Sequence, residues 1–421
     1  MLIIGGGIVG LCCAVQFRLR QIPVVIVERG EPGVGCSWGN AGLLAPGSCV
    51  PMGMPGIARQ LPKWLLTSSG SVRISSVYAM RNLHACLALL RAASPSQALS
   101  SARAIRAITS DVFKDLEPIT SYAGAGDLVH RRGYLYIYPS SDAFEAAHAM
   151  WSLREACGVR REILSGPPLR KLQAGLGHAE VGVYLPDEGY CFDPYELSKR
   201  IATKLARDGT EFVSGVAGKV TSKNAAVQIA VGDRQIEASH LVIAAGLSSV
   251  EILAGLGVRM PMLSVRGYSF VCRNAGVALN IPVMSGTGRF AATPMSFGTR
   301  IAGGADVDFA GAKPCRTMME KIKRSAMDLL PDLYVDTNSC WVGARSLLPD
   351  SVPVIGALRE APNIVIATGH GFAGLTCAPT TSKIVASLVM GEPTGLDLSR
   401  YHPQRYHHSV FATEADHAPV H

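Results

Sequence analysis

The chain has 421 residues, 48% of them hydrophobic and 17% charged, with a formal net charge of +8. That length predicts two domains, and the composition excludes a disordered chain. Arg160-Arg161 and the basic residues from Lys321 to Arg324 are short and isolated, so no nucleic-acid stripe is expected, while mild attraction to anionic lipid or an anionic substrate stays open. Eleven cysteines are scattered without zinc or iron-sulfur spacing, so no metal site is expected. Their odd number, with a glycine turn beginning at Gly5, predicts a reducing compartment and no leader. No apolar run free of charge or repeated glycine reaches spanning length, so a surface-lying protein is compatible with the chain and a membrane-spanning one is not expected.

The chain opens on Leu2-Ile3-Ile4, a short buried strand in outline, followed by Gly5, Gly7 and Gly10 and a helix. Such glycines form a tight strand-to-helix turn whose amides face a pyrophosphate. Val24 to Val27 is the second strand, and Glu28, 18 residues past Gly10, is placed to hydrogen-bond a ribose. A second glycine cluster, Cys36 to Gly42, suits close approach by a longer, flatter cofactor than a nicotinamide dinucleotide.

Residues 60 to 118 read as packed helices, with Leu83, Leu87 and Leu90 on one face and Ala104, Ile105, Ile108, Val112 and Leu116 on another. Pro95 separates the two runs. Gly133 to Tyr138 alternates as a strand. Its tyrosines 134, 136 and 138 share a face, and at least two are expected to pack. A helix capped by Asp142 follows to about Cys157. Asp193-Pro194 starts another helix, leading into a strand at Glu211 to Val213. Leu241 to Ala245 and Ile364 to Ala367 are buried strands, each running into glycine. Between them lie strand-rich stretches at 267 to 271 and 300 to 304, a helix over 314 to 329, and Asp306 and Asp308, expected at a solvated strand end. A helix from about Thr376 to Met390 follows, and the His-containing tail from His402 reads as surface or frayed.

Four stretches together resemble the FAD-dependent D-amino acid dehydrogenases, within the amino acid oxidase, glycine oxidase and sarcosine oxidase superfamily. They are Gly5–Gly10 with Glu28; Ser37–Gly42 through Gly47; Trp341–Arg345 through Asp350 and Pro353–Gly356; and Thr368–Gly371 with Gly374. The resemblance implies an α/β plus α+β protein. Its Rossmann-like FAD-binding domain would be assembled from 1–60, 190–258 and 336–400. Its substrate domain, on a mixed or antiparallel sheet, would take 61–189 and 259–335, with 401–421 as a tail.

The resemblance also implies which residues hold FAD. They are Gly5, Gly7, Ile8, Val9, Gly10, Glu28, Arg29, Ser37, Asn40, Ala41, Gly42, Leu43, Val216, Ala245, Gly246, Gly343, Gly369, His370, Gly371, Phe372 and Gly374. Arg345 matches the arginine that grips the substrate carboxylate, a role its planar fork suits. The competing expectation ties Arg345 to Asp350. Tyr268 and His370 are the other candidate catalytic residues, with packing and turn support as their alternatives.

The expected reaction oxidises the C–N bond of a D-amino acid to an imine, cis-4-hydroxy-D-proline or D-proline being favoured. Electrons pass to a quinone or respiratory carrier. A cytoplasmic enzyme, with peripheral association on the inner face of a bacterial cytoplasmic membrane, fits this family. The alternatives are a broad-specificity dehydrogenase, an oxygen-using glycine or sarcosine-type oxidase, and a flavin subunit of an electron-transfer complex.

Overall fold

A computed structural model describes the chain except for residues 67–69, 224–225, 274–275, 277, 336–339 and 407–421. Six strands form one sheet in the order Glu211–Ser214, Val25–Glu28, Leu2–Ile4, Leu241–Ile243, Ile364–Thr368, Val354–Ala357. All neighbours are parallel except the last pair. Parity explains why these strands read as unbroken apolar runs: both faces are covered. Ile3, Ile26, Val242 and Val365 face one core, built with helices Ile8–Leu19, Pro194–Arg207 and Gly374–Met390. Leu2, Ile4, Val27, Leu241 and Ile243 face the other, under the three-stranded sheet spanning 217–238.

A second, nine-stranded sheet is mixed. Its central order is Trp341–Leu347, Leu263–Cys272, Gly298–Val307, Phe290–Met295, Val283–Ser285, Tyr134–Tyr138. Helix Arg316–Leu329 covers one part of it through Met318, Ile322 and Ala326. The helices between 57 and 92 pack near Val265, Ala305 and Leu347.

Several expectations change. Helices Pro95–Thr109 and Val112–Ala123, expected with the substrate domain, share the core of helices Ile8–Leu19 and Gly374–Met390. The expected helix to Cys157 is two, Ser141–Glu145 and His148–Glu155. Its cap is Ser140, whose hydroxyl accepts from the Ala143 amide at 3.2 Å; Asp142 already lies inside the first turn. Asp193 caps as expected, accepting from the amides of Tyr195 and Glu196. Residues 402–406 are not frayed: Arg405 binds the carbonyls of Pro353 and Val352 and pairs with Asp350. The rest of the tail lies outside the described residues.

One helical stretch, Gly371–Met390, is long and apolar enough to cross a membrane by length and composition, but it holds Gly371, Gly374 and Lys383, and most of it is buried inside the protein. All eleven cysteines are free, and no metal-ligating cluster occurs among the described residues.

Candidate active site

Between the two sheets runs a cavity of about 1970 Å³, lined by Glu28 and the first glycine turn from the six-stranded sheet and by Arg345 from the other. In the glycine turn Gly5 has φ +113°, and a Cβ there would strike the carbonyl of Ala244. A Cβ on Gly10 would strike the carbonyl of Gly5. These two glycines let strand, turn and helix close on one another. Gly7 is the contact glycine: a Cβ there meets only the Ser37 hydroxyl, at 3.6 Å, and the residue lines the cavity.

Glu28 accepts from the Gly6 amide at 2.6 Å and the Gly30 amide at 3.1 Å. A carboxylate oxygen accepts more than one bond, so Glu28 keeps acceptor capacity on the cavity wall. Ser37 accepts from the Ile8 amide at 3.1 Å, tying the second glycine loop to the start of the first helix. Arg29, Val216, Ala245 and Gly246 also line the cavity.

The wall continues through Asn40, Ala41 and Leu43, and then Gly371, Phe372 and Gly374. Arg300, unremarked in the sequence, fixes this loop. Its guanidinium donates to the carbonyls of Trp38 at 2.8 Å and Asn40 at 3.0 Å, and lies over the Trp38 ring. Burial lowers its pKa to about 10. Gly10, Gly42 and Gly369 stand just behind the wall, so their part is to shape it. At Gly369, φ is +80° and a Cβ would press on Leu348.

Arg345 lines the cavity. It rises from strand Trp341–Leu347, and its guanidinium lies directly above Gly267 on the neighbouring strand, where any Cβ would collide with it. Nη1 donates to the Gly304 carbonyl at 3.3 Å, and the head group lies 5.1 Å from the centroid of the Phe372 ring. No carboxylate among the described residues pairs with it. Asp350 is held by Arg405 and Tyr406, so the competing expectation is lost. Partial burial lowers the pKa of Arg345, because its charge is partly stripped of water.

Tyr268 is a correction. It lies on the opposite face of its strand from Gly267, fully buried, and its hydroxyl donates to Asp306 at 2.6 Å while accepting from the Cys315 amide at 2.9 Å. Period-two geometry sends adjacent side chains to opposite faces, so the strand cannot offer both residues to the cavity. Asp306 and Asp308 are likewise not solvated. Both are buried, and Arg73 donates to them at 2.5 and 3.0 Å; Arg266 also pairs with Asp306. This cluster pins strand Val72–Ile74 to strand Gly298–Val307.

His370 is a second correction as a catalytic side chain. Its backbone lines the cavity, but Nε2 lies 3.0 Å from the Thr381 hydroxyl inside the final helix. Burial pushes its pKa down to about 4, so the ring is neutral near pH 7 and supports the turn.

The roof between Arg345 and the far wall is a row of register partners, Ala302, Ala291, Met284 and Tyr136, all lining the cavity. Tyr136 is the one cavity tyrosine of its strand; Arg154 donates to its hydroxyl at 2.7 Å. Tyr134 and Tyr138 pack, as expected of at least two. Arg289 was also missed: it lines the cavity with φ +52°, in the hairpin before Phe290. Gly267 and Arg300 carried no motif signal, because each acts on a neighbour distant in sequence.

A dinucleotide with a long flat ring fits these residues. The cavity has an acid with spare acceptor capacity beside a glycine turn, and a glycine-lined slot with an arginine that no described carboxylate pairs.

Comparison with known proteins agrees with this geometry. A family profile described as FAD dependent oxidoreductase (DAO) matches residues 1–388. The chain is 28% identical to the D-amino-acid oxidase of Bradyrhizobium diazoefficiens, over 96% of this chain and 98% of the relative. It is 26% identical to the D-amino acid dehydrogenase of Chromohalobacter salexigens, over 95% and 99%. Among solved structures, glycine oxidase from Geobacillus kaustophilus matches with a TM-score of 0.73 at 20% identity, covering 96% of this chain and 98% of that one. L-proline dehydrogenase from P. horikoshii matches at 0.71 and 17% identity, covering 96% and 97%. These two likenesses speak for the fold.

Proposed function

The chain belongs to the DAO family of FAD-dependent oxidoreductases, and from that premise we propose that it is a D-amino acid dehydrogenase. It oxidises the C–N bond of a D-amino acid to an imine. Cis-4-hydroxy-D-proline and D-proline are the first substrates to test. The acceptor is a quinone or respiratory carrier, reached by peripheral association with the inner face of the cytoplasmic membrane.

One observation carries the reading: a half-buried guanidinium on the cavity wall, held over a glycine, that no described carboxylate pairs. The substrate carboxylate docks on Arg345 in a two-bond fork. The Gly304 carbonyl and the Phe372 ring hold that fork in place, which orients the bound amino acid. Small residues at Ala302, Gly303 and Ala291 leave room for the side chain. The substrate ammonium must lose a proton before reaction. His370 Nε2 is turned to Thr381, and we assign the proton to solvent. Bound FAD supplies the two-electron acceptor, and the protein supplies placement and electrostatics.

Anaerobic mixing with a panel of D-amino acids and cyclic imino acids tests the proposal. Bleaching of the flavin band by D-isomers is expected, and bleaching by none would remove it. An oxygen-electrode trace beside a dye-linked assay separates dehydrogenase from oxidase, and a large peroxide yield would favour the oxidase named for the Bradyrhizobium relative.

A further inference from the structure

From residue 32 to residue 110 the sequence contains no aspartate or glutamate, yet it carries Arg59, Lys63, Arg73, Arg81, Arg91, Arg103 and Arg106. Arg59, Lys63, Arg81 and Arg91 lie on the exterior. The same stretch holds helices Ile57–Leu66, Ser76–Arg81 and Leu83–Ala92, whose inner faces meet in one small core through Ile57, Trp64, Tyr78, Ala85 and Leu89. Their outer faces are also apolar. Leu66 is 84% exposed, Met80 71% and Leu83 58%, with Leu65, Val77 and Leu87 beside them in sequence. Val77 and Met80, three apart, share an exposed face of helix Ser76–Arg81, and Leu83 and Leu87, four apart, share one of helix Leu83–Ala92. Phe309 extends this face: its ring stacks edge-on against Tyr78 and under Arg81, and it too is exposed.

An apolar face flanked only by basic charge fits a surface that is apolar below and anionic at its boundary. We infer that the outer face of the helices between 57 and 92 docks on an anionic lipid bilayer, its leucine and methionine side chains entering the headgroup boundary and its arginines facing the lipid phosphates. The position has a functional consequence. Helix Ile57–Leu66 presents Ile57, Gln60 and Trp64 to the active-site cavity while Leu65 and Leu66 point outward. At helix Ile57–Leu66 the docking face therefore lies on the outer side of a cavity wall, which places a lipid-dissolved acceptor beside the cavity. This inference rests on the proposed quinone acceptor for its purpose, but not for its test.

The test is co-sedimentation of the FAD-loaded protein with vesicles of phosphatidylcholine alone or mixed with phosphatidylglycerol, alongside dye-linked D-amino acid oxidation. The wild type is expected to pellet with the anionic vesicles and to be released by high salt. A Leu66→Ser, Met80→Ser, Leu83→Ser variant should bind at least tenfold more weakly, with dye-linked activity and Tm unchanged. Arg59→Gln with Arg81→Gln should weaken binding to the anionic vesicles selectively. Failure of the wild type to bind, or a triple variant that binds equally well, overturns the inference. So does a concentration-dependent dimer that the triple variant abolishes without any vesicle binding. If no amino acid supports dye reduction, the enzymatic reading fails and the vesicle result still stands on its own.

Discussion

Replacing Arg345 by lysine keeps the charge and removes the fork. A lysine ammonium is a point donor and cannot hold a carboxylate in two parallel bonds. We expect kcat/KM for D-amino acids to fall roughly 100-fold, while the flavin spectrum and FAD content stay normal because Arg345 has no part in closing the glycine turn. Rapid-mixing flavin reduction checks this, and unchanged substrate affinity would remove the assigned role. His370 makes a different prediction. Its ordinary value of 6.5 is lowered to about 4 by burial. Between those values the unfolded chain binds a proton that the folded chain refuses, so stability falls as pH drops below 6.5 and no such loss accrues above it. Going from pH 7.5 to pH 5, the wild type should lose about 2 kcal/mol more than His370→Gln, read from urea unfolding at both values. Equal losses would mean that the ring is not kept neutral.

At the scale of elements, the strand pair carrying Arg345 and Gly267 works as one device, since the glycine is the seat of the guanidinium. Gly267→Ala should mimic Arg345→Lys: a large fall in kcat/KM with FAD retained and Tm little changed, measured on the same protein samples. The loop at 36–42 depends in the same way on Arg300 from a distant strand. Arg300→Met keeps bulk but removes the two carbonyl contacts, and FAD affinity should drop at least tenfold by ultrafiltration. What could be read from the chain follows from the range of each interaction. The glycine turn, the Asp193 cap and the buried strands are local, so neighbours in sequence announce them. Tyr268 was misplaced because alternation says which residues share a face, but not which face meets the cavity. Asp306 and Asp308 were assigned to solvent because Arg73 and Arg266, which make their burial tolerable, are distant in sequence. The basic, acid-free stretch at 32–110 escaped notice because its charges are spaced out and gather only on folded helices.

For the whole molecule, the cavity of about 1970 Å³ is an interruption of packing to which both sheets contribute walls. The wall segments come from residues near 5, 40, 245, 300, 345 and 370, which share no continuous element. A ligand lying along that cavity touches all of them at once. Its binding energy is therefore gained only when the chain is fully assembled, and it adds to folding stability by mass action. FAD at 100 times its Kd should raise the unfolding free energy by about 2.7 kcal/mol. Gly10→Ala should abolish that gain, because its Cβ would strike the Gly5 carbonyl and spread the turn. The measurement is thermal unfolding of flavin-stripped protein with and without excess FAD, for wild type and variant. Hydrogen exchange locates the effect: protection on adding FAD should rise at 36–52 and 371–376, which line the cavity, and stay level on the outer helix Leu83–Ala92, which does not. Equal stabilisation of the two proteins by FAD would show that the first glycine turn does not carry the cofactor, and its place in the cavity would have to be reassigned.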